Sequence, residues 1–173
     1  SVANINGWLS AGIVNGGEVT IRDNASLSAR DFNVGDVGTG QSLCKVEGGN
    51  VSFWTLFVGK NAGTSGVMIQ TGGSVSRGTG GGDSRIGGAG TATQDVWGAY
   101  TLLGGTLTTN LNFQIGAYGV GLMEIDGGNF TTTAGWPVIG RFQYTDAGNN
   151  TFESYGLMDV RSGGFTQGNA ANR

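Results

Sequence analysis

The stretches "GLMEIDGG", residues 121–128, and "GLMDVRSGG", residues 156–164, decide the fold of this chain. Both alternate hydrophobic residues with other residues, and both end on a pair of glycines. In a β-strand, alternation with period two places Met123 and Ile125 on one face and the residues between them on the other. The recurrence of the whole pattern predicts a strand followed by a tight corner, as a unit that repeats along the chain.

A glycine pair of this kind occurs six times, starting at Gly16, Gly48, Gly72, Gly104, Gly127 and Gly163. A second mark, a hydrophobic residue followed by glycine, lies between the pairs at Gly35, Gly59, Gly87, Gly116 and Gly140. Longer units carry their extra residues mostly just after this second mark, which is typical of a solenoid with loops beside stacked rungs. The sequence therefore predicts one all-β domain over residues 1–173, a parallel β-helix (β-solenoid) of about six to eight glycine-rich coils, with insertion loops on one side.

Alignment of the units backward from each glycine pair gives two hydrophobic columns. The first column contains Cys44, Met68, Tyr100 and Met123, and Met158 joins it after a shift of one residue. The second column contains Val46, Leu102, Ile125 and Val160, with Gln70 as its exception. Such columns are expected if equivalent strands stack and point the same side chains into a shared interior, so both are predicted to form the core.

The composition agrees with strands and excludes several functional classes. Glycine supplies 36 of 173 residues, proline occurs once and 38% of residues are hydrophobic, which excludes collagen and a flexible linker. The net charge is −3 without a Lys/Arg cluster, so nucleic acid is not expected as a partner. No apolar run is long enough for a membrane span. With no histidine and one cysteine, the usual zinc sites and Ser-His-Asp triads are excluded, and we predict no cofactor and no metal.

Two carboxylates, Glu124 and Asp126, raise the question of catalysis because they stand two residues apart. They align with Lys45 and Glu47 and with several uncharged residues, in columns that face away from the predicted core. A general acid–base pair needs its pKa tuned by burial or by neighbouring charge, and outward strand positions offer little of either. We therefore predict no catalytic residues and no enzyme activity. The segment 78–86 is a poor match to the calcium-binding nonapeptide and does not recur at nine-residue spacing, and the longer glycine-rich stretch 78–90 is predicted to be an insertion loop.

Aromatic residues near the insertions are candidates for sugar binding. Trp97, Tyr144 and Tyr155 lie in or beside the predicted loops 88–98 and 141–156, and we take them as candidate glycan contacts. Four asparagines fit the N-x-S/T pattern of glycosylation acceptors, namely Asn24, Asn50, Asn129 and Asn149. The threonine-rich segments "TLTT", residues 106–109, and "FTTT", residues 130–133, are typical of an ice-binding face. The equivalent strands do not complete a threonine ladder, so this function is disfavoured.

Units of the form "GG-x-Φ-[ST]", "ΦxΦG" and "G-x-Φ-x-Φ-x-GG", where Φ is hydrophobic, resemble the autotransporter-associated β-strand repeats. Similar repeats occur in large, secreted, glycine-rich bacterial surface proteins, some of which end in a PEP-CTERM sorting tail. The resemblance covers about residues 12–168. It implies a parallel β-solenoid, an extracellular or cell-surface location and no catalytic residues.

The predicted function is that of an extracellular structural protein. A solenoid exposes an unpaired strand at each end, and such edges can pair with another chain. We therefore expect a solenoid subunit or segment that self-associates end to end into a fibre or surface layer. The alternative is a glycan-binding or adhesive module that uses the loops 88–98 and 141–156, with polysaccharide as its partner. An enzyme of the pectate-lyase type is disfavoured, because no cluster of Asp with Lys or Arg recurs on one face.

Overall fold

The structure is a computed structural model that describes residues 1–90, 95–145 and 149–168. All regular elements in these residues are β-strands. In chain order they are β1 Val2–Val14, β2 Glu18–Ile21, β3 Ser26–Gly38, β4 Gln41–Val46, β5 Asn50–Val58, β6 Ser65–Gln70, β7 Ser74–Arg77, β8 Ser84–Ile86, β9 Trp97–Leu102, β10 Thr106–Thr109, β11 Phe113–Ile115, β12 Val120–Thr132, β13 Pro137–Ile139, β14 Gln143–Thr145, β15 Thr151–Glu153 and β16 Tyr155–Gln167.

Fourteen of these strands form one sheet in which every pairing is parallel. The remaining two, β14 and β15, form a small antiparallel hairpin. The prediction of an all-β fold with a long parallel sheet is confirmed, and the arrangement is consistent with a β-solenoid. Parallel strands need a crossover between them, and here the crossovers are further strands of the same sheet.

The pairing divides the sheet into three ladders of stacked strand segments, here named A, B and C. Ladder A consists of residues 18–21, 41–46, 65–70, 97–102, 120–125 and 155–160. Ladder B consists of residues 2–5, 26–29, 50–53, 74–77, 106–109, 129–132 and 164–167. Ladder C consists of residues 8–14, 31–38, 55–58, 84–86, 113–115 and 137–139. The chain visits the ladders in the order B, C, A and then returns to B.

Ladder B gives the length of each circuit. Val2 pairs with Ser26, Ser26 with Asn50 and Asn50 with Ser74, so the first three circuits are 24 residues long. The next three pairings in this ladder lie 32, 23 and 35 residues apart. The sequence units therefore begin with a regular array that later insertions interrupt.

Both predicted hydrophobic columns lie in the core except at their last members, because Met158 is only partly buried and Val160 is 48% exposed. Cys44, Met68, Tyr100 and Met123 pair in succession along ladder A, and all four are buried. Met158 pairs directly with Met123, because the irregularity in register falls later, beyond Ile125. The core joins all three ladders through aromatic contacts. Phe113 of ladder C lies 6.5 Å from Tyr100 of ladder A and 5.2 Å from Phe130 of ladder B, between ring centroids.

Two kinds of corner account for the two glycine marks. Gly49, at the corner from ladder A to ladder B, has φ 72°, and a Cβ there would lie 2.2 Å from the carbonyl oxygen of Ala25. Gly116, at the corner from C to A, has φ 68°, and a Cβ there would lie 2.1 Å from the carbonyl oxygen of Tyr155. A left-handed backbone and this close approach of the next rung both require glycine.

The pair at Gly16 and Gly17 differs from the other five pairs. It precedes β2 and so stands at the corner from ladder C to ladder A, whereas the other five pairs stand at the corner from ladder A to ladder B. The first corner from A to B contains Asp23 instead, with φ 56°, which Asp tolerates better than most residues. The repeat that begins near residue 16 by sequence is thus out of phase with the others.

Insertions occur at two corners rather than one. Residues 88–96 and 141–154 both interrupt the corner from C to A, as predicted, and the second insertion contains the β14–β15 hairpin. Residues 78–83 instead interrupt the corner from B to C, and the predicted loop is wrong beyond them, because Ser84–Ile86 form strand β8 of ladder C. Arg77, at an inner position of ladder B, holds this third loop because its guanidinium donates to the carbonyl oxygens of Gly78 and Gly81, each at 3.0 Å.

Candidate functional site

The first candidate site is the end of the stack that contains β1 and β2. In the part of the chain that the structure describes, β1 pairs only with β3 and β2 only with β4. An open cavity of about 300 Å³ lies there. It is lined mainly by apolar side chains of the first coil, with Leu27 of the second; those of the first coil are Val2, Ala3, Ile5, Leu9, Val19 and Ile21. The interior of the stack is thus open at this end.

The opposite end also exposes inner positions of the ladders. Val160 pairs with Ile125 in the second core column, yet Val160 is 48% exposed whereas Ile125 is fully buried. Ile139, the last inner residue of ladder C, is 49% exposed. Met158 and Phe165 are only partly buried. These residues have the chemistry of core residues, but no described rung covers them.

Each end also presents a free row of backbone groups. Among the described residues, β13 pairs only with β11 and β16 only with β12. In a parallel ladder the N–H and C=O groups on the open side of an edge strand have no partner strand, and such a row is a template for pairing. Pro137 begins β13 and removes one donor from this edge, which agrees with the usual place of proline in sheets.

The second candidate site is the outer face of ladder A, beside both insertions at the C-to-A corner. Trp97 pairs with Val120, and Val120 pairs with Tyr155, so the two aromatic residues lie in one row, two rungs apart. At the usual strand spacing this is about 10 Å. Tyr155 is 57% exposed, and Trp97 is partly exposed. The structure therefore brings two of the three candidate glycan contacts together.

The third candidate, Tyr144, lies in β14, and the structure does not describe its side chain. The start of the same insertion packs on the C-to-A corner of the preceding rung and on the loop before β8. Phe142 stacks on Tyr118 with ring centroids 4.5 Å apart and planes 13° apart. Arg141 pairs with Asp83, between Nη1 and Oδ2 at 3.2 Å. A shallow cavity of about 460 Å³ lies between Arg141, Phe142 and the strand β15.

The carboxylates Glu124 and Asp126 lie on the outer face of ladder A, as the alternation predicts. Glu124 forms an ion pair with Arg161, and the Arg161 Nε atom donates to Asp159 at 2.9 Å. The hydroxyl of Ser162 donates to Asp126 at 2.7 Å. The hydrogen bond to Asp159 and the charge of Glu124 raise the pKa of Arg161. These groups form a surface ion-pair network between the last two rungs of the ladder.

A buried polar contact explains the exception in the second core column. The hydroxyl of Tyr100 donates to Gln70 Oε1 at 2.6 Å, and both side chains are fully buried. Gln70 Nε2 donates to the carbonyl oxygens of Gly73 and Thr106, at 3.3 and 3.1 Å. Gln70 therefore binds backbone groups at the A-to-B corner that would otherwise face an apolar core. Burial also raises the pKa of Tyr100 well above its usual range.

A second polar cluster, on the outer side of ladder C, was not anticipated from the sequence. Asp36 accepts hydrogen bonds from Ser10 at 2.7 Å and from Asn33 at 2.9 Å. It also pairs with Lys60 at 3.0 Å and accepts from Asn61 at 3.2 Å. These residues belong to three successive rungs, so the cluster ties the rungs together. The sequence signal that could have indicated this cluster is the spacing of its polar residues, which lie about one circuit, 23 to 26 residues, apart.

The four candidate glycosylation asparagines, Asn24, Asn50, Asn129 and Asn149, are all exposed. Asn50 and Asn129 lie in the same outer row of ladder B, separated by Ser74 and Thr106. Asn149 has a left-handed backbone with φ 63°. Exposure makes these side chains accessible to modification.

Comparison of the chain with protein-family models, with curated proteins and with solved structures finds no match. Within the described residues no group of three or more Cys, Asp or Glu side chains is arranged to hold a metal ion. The same residues include no helix of the length and apolarity that a membrane crossing requires.

Proposed function

We propose that this chain is a β-solenoid structural protein, a subunit or segment that is extended end to end into a fibre or surface layer outside the cell. The observation that carries the proposal is the pair of open ends. Among residues 1–90, 95–145 and 149–168, the end strands of ladders A, B and C pair on one side only, and core-type residues such as Val160 and Ile139 are about half exposed there. Covering them with another rung buries apolar surface and satisfies the edge strands.

The extracellular location rests on the resemblance of the glycine-paired repeats to bacterial surface proteins. The single cysteine and the absence of histidine in the sequence agree with a scaffold role. The stability of such an assembly would come from rung-to-rung contacts added coil by coil, which is how solenoids gain stability.

The test is the assembly state of the purified chain. Sedimentation velocity over a rising concentration series, with negative-stain electron microscopy, is expected to show rods whose length grows with concentration. Val160→Lys places a charge on the inner face at one end and is expected to stop growth. The matched control is Leu157→Lys, in the same strand but on the outer face, at similar exposure of 46% against 48%. A wild-type chain that stays monomeric throughout would refute the proposal.

A second candidate function is glycan binding, and the shared row of Trp97 and Tyr155 favours it. Aromatic side chains spaced along a flat face can stack on successive sugar rings, as aromatic platforms do with other planar or apolar ligand faces. Because β9 begins at Trp97 and β16 at Tyr155, these contacts belong to the rungs, and the true insertions are residues 88–96 and 141–154.

This candidate is tested by co-sedimentation with insoluble polysaccharides. Trp97→Ala and Tyr155→Ala are expected to reduce binding strongly, and shortening residues 141–154 is expected to reduce it further. Trp54→Ala is the control, because Trp54 is also exposed, at 37%, but lies away from ladder A at the B-to-C corner, with the Arg30 guanidinium carbon 4.7 Å from its ring centroid. Equal binding by all of these variants would exclude this face as the binding site, while assembly should be unaffected by them.

A further inference from the structure

The polar cluster on the outer side of ladder C brings an amine, a carboxylate and an amide together. Asp36 Oδ1 lies 3.0 Å from Lys60 Nζ, and Asp36 Oδ2 accepts a hydrogen bond from Asn33 Nδ2 at 2.9 Å. Asn33 and Asp36 belong to β3, whereas Lys60 follows β5, which is the next strand of the same ladder. One carboxylate therefore holds the asparagine amide of one rung beside the lysine amine of the next.

We propose that Lys60 and Asn33 form a covalent amide bond, an isopeptide bond, with Asp36 as the acid and base of the reaction. The bond forms within one chain, so the inference is independent of end-to-end assembly. It cross-links two successive rungs of ladder C, as a disulfide could do elsewhere. The single cysteine of these 173 residues has no second cysteine here with which to form one.

The reaction exchanges one amide for another. Asp36 takes a proton from the Lys60 ammonium, and the free amine attacks Cγ of Asn33, where the new C–N bond forms. A second amine proton moves to Nδ2, the bond from Cγ to Nδ2 breaks, and the nitrogen leaves as ammonia. The ammonia takes the proton that Asp36 holds and departs as ammonium, which restores the carboxylate. No oxidant, reductant or further reactant is consumed.

The surroundings of the three groups favour this reaction over hydrolysis. Asn33 is fully buried, and the side chains of Asp36 and Lys60 are 9% and 19% exposed. The ring centroids of Trp8 and Phe57 lie 5.5 and 5.4 Å from Lys60 Nζ. Water thus has little access to the amide, while the amine is held beside it. Under these conditions a positioned amine replaces water as the nucleophile.

The Asn33 side chain also has an unmet hydrogen bond. Its Oδ1 atom is buried and accepts no hydrogen bond from the residues that the structure describes. A buried carbonyl oxygen without a donor is costly. A half-turn of the amide about its last side-chain bond brings Oδ1 to the present place of Nδ2, 2.9 Å from Asp36 Oδ2 and 3.0 Å from the Ser10 hydroxyl. The acid form of Asp36 then donates to Oδ1 and polarises Cγ for attack.

The first test is mass spectrometry of the intact chain and of its tryptic peptides. The bond removes one ammonia, about 17 Da, and trypsin then releases residues 31–45 joined to residues 46–77, because it no longer cleaves at Lys60. Lys60→Arg keeps the positive charge but has no lysine amine, and it is expected to show the full mass. Lys45→Arg is the matched control and should keep the loss, because Lys45 pairs with Glu18 on the exposed face of ladder A.

Three results of this first test would overturn the proposal. One is a wild-type chain at full mass. Another is a loss of ammonia without the joined peptides, because an asparagine that closes into an imide loses the same mass. The third is a loss of one water, about 18 Da, with the peptides joined, because this would place the bond on the Asp36 carboxyl instead of on Asn33.

The second test assigns the role of Asp36. Asp36→Asn keeps the size of the side chain but cannot take the amine proton. The yield of joined peptides, measured at a fixed time after synthesis, is expected to fall at least about a hundredfold. Circular dichroism checks that the variant keeps its β-sheet. Joined peptides at the wild-type yield in this variant would overturn the assignment of Asp36 as acid and base.

Discussion

The middle rungs and the end rungs of this molecule have the same pattern of residues but different surroundings. Ile125 and Val160 are direct neighbours in one column, and the first is fully buried while the second is 48% exposed. Phe130 and Phe165 stand in the same relation. The difference teaches that the fold of a rung is set by its own sequence, whereas its stability depends on a neighbour on each side.

The largest contrast is expected in cysteine reactivity. Burial raises the pKa of the Cys44 thiol to about 12, so almost no thiolate exists there at pH 8. We expect Cys44 to react with a thiol reagent on the order of a thousandfold more slowly than a cysteine at an exposed end position. An Asn4→Cys variant supplies that reference. Labelling followed by mass spectrometry distinguishes the two sites, and similar rates would show that the middle rungs open as readily as the ends.

The next contrast compares two phenylalanines in one column. Phe130→Ala removes a fully buried ring and is expected to lower the free energy of unfolding by about 3–5 kcal/mol. Phe165→Ala removes a partly exposed ring, so in dilute solution it should lower the free energy of unfolding clearly less than Phe130→Ala does. It should weaken assembly more than Phe130→Ala. Denaturant unfolding and sedimentation measure the two effects. Equal losses in the free energy of unfolding for the two variants would mean that the last rung is already covered by other residues of the same chain.

A smaller effect is expected from the buried polar pair. Tyr100→Phe removes the hydroxyl that donates to Gln70 and leaves the Gln70 carbonyl oxygen without that donor in the core. The expected cost is about 1–3 kcal/mol, the usual penalty for an unsatisfied buried group. A double-mutant cycle with Gln70→Met should show coupling between the two changes. Strictly additive losses would contradict the contact.

The smallest effect is expected at the outward carboxylates. Glu124→Gln should change the free energy of unfolding by no more than about 0.5 kcal/mol, because the side chain lies on the surface of ladder A. Assembly and any binding to polysaccharide should also remain unchanged. A loss of several kcal/mol, measured by denaturant unfolding, would show that the ion pair with Arg161 holds the last rung in place.

The sequence predicts the inner columns well because alternation and glycine corners are local signals. The succession Cys44, Met68, Tyr100 and Met123 follows from counting back from the corners, Met158 joins it only after a shift of one residue, and the pairing confirms all five. The place of Gly16 could not be predicted, since the glycine pair looks the same at either kind of corner.

Other features depend on contacts between distant residues. The role of Gln70 could not be predicted from the sequence, because its hydrogen-bond partner Tyr100 lies on the next rung, 30 residues away. The conformation of the loop after Arg77 depends on hydrogen bonds from the Arg77 guanidinium to backbone carbonyl oxygens of the loop, and the strand pattern of the sequence does not predict these bonds. For the candidate sites, alternation predicts that Glu124 faces outward, but the shared row of Trp97 and Tyr155 appears only when insertions of unequal length are placed in register.

The central claim is that the open ends are covered by another copy. Amide hydrogen exchange of the wild-type chain, compared at low and high concentration, tests this most directly, because protection reports local opening. The account predicts that amides of residues 18–21 and 155–160 gain protection as concentration rises, whereas those of the middle strand 97–102 stay as they are. Unchanged protection of both ends at every concentration would contradict the account.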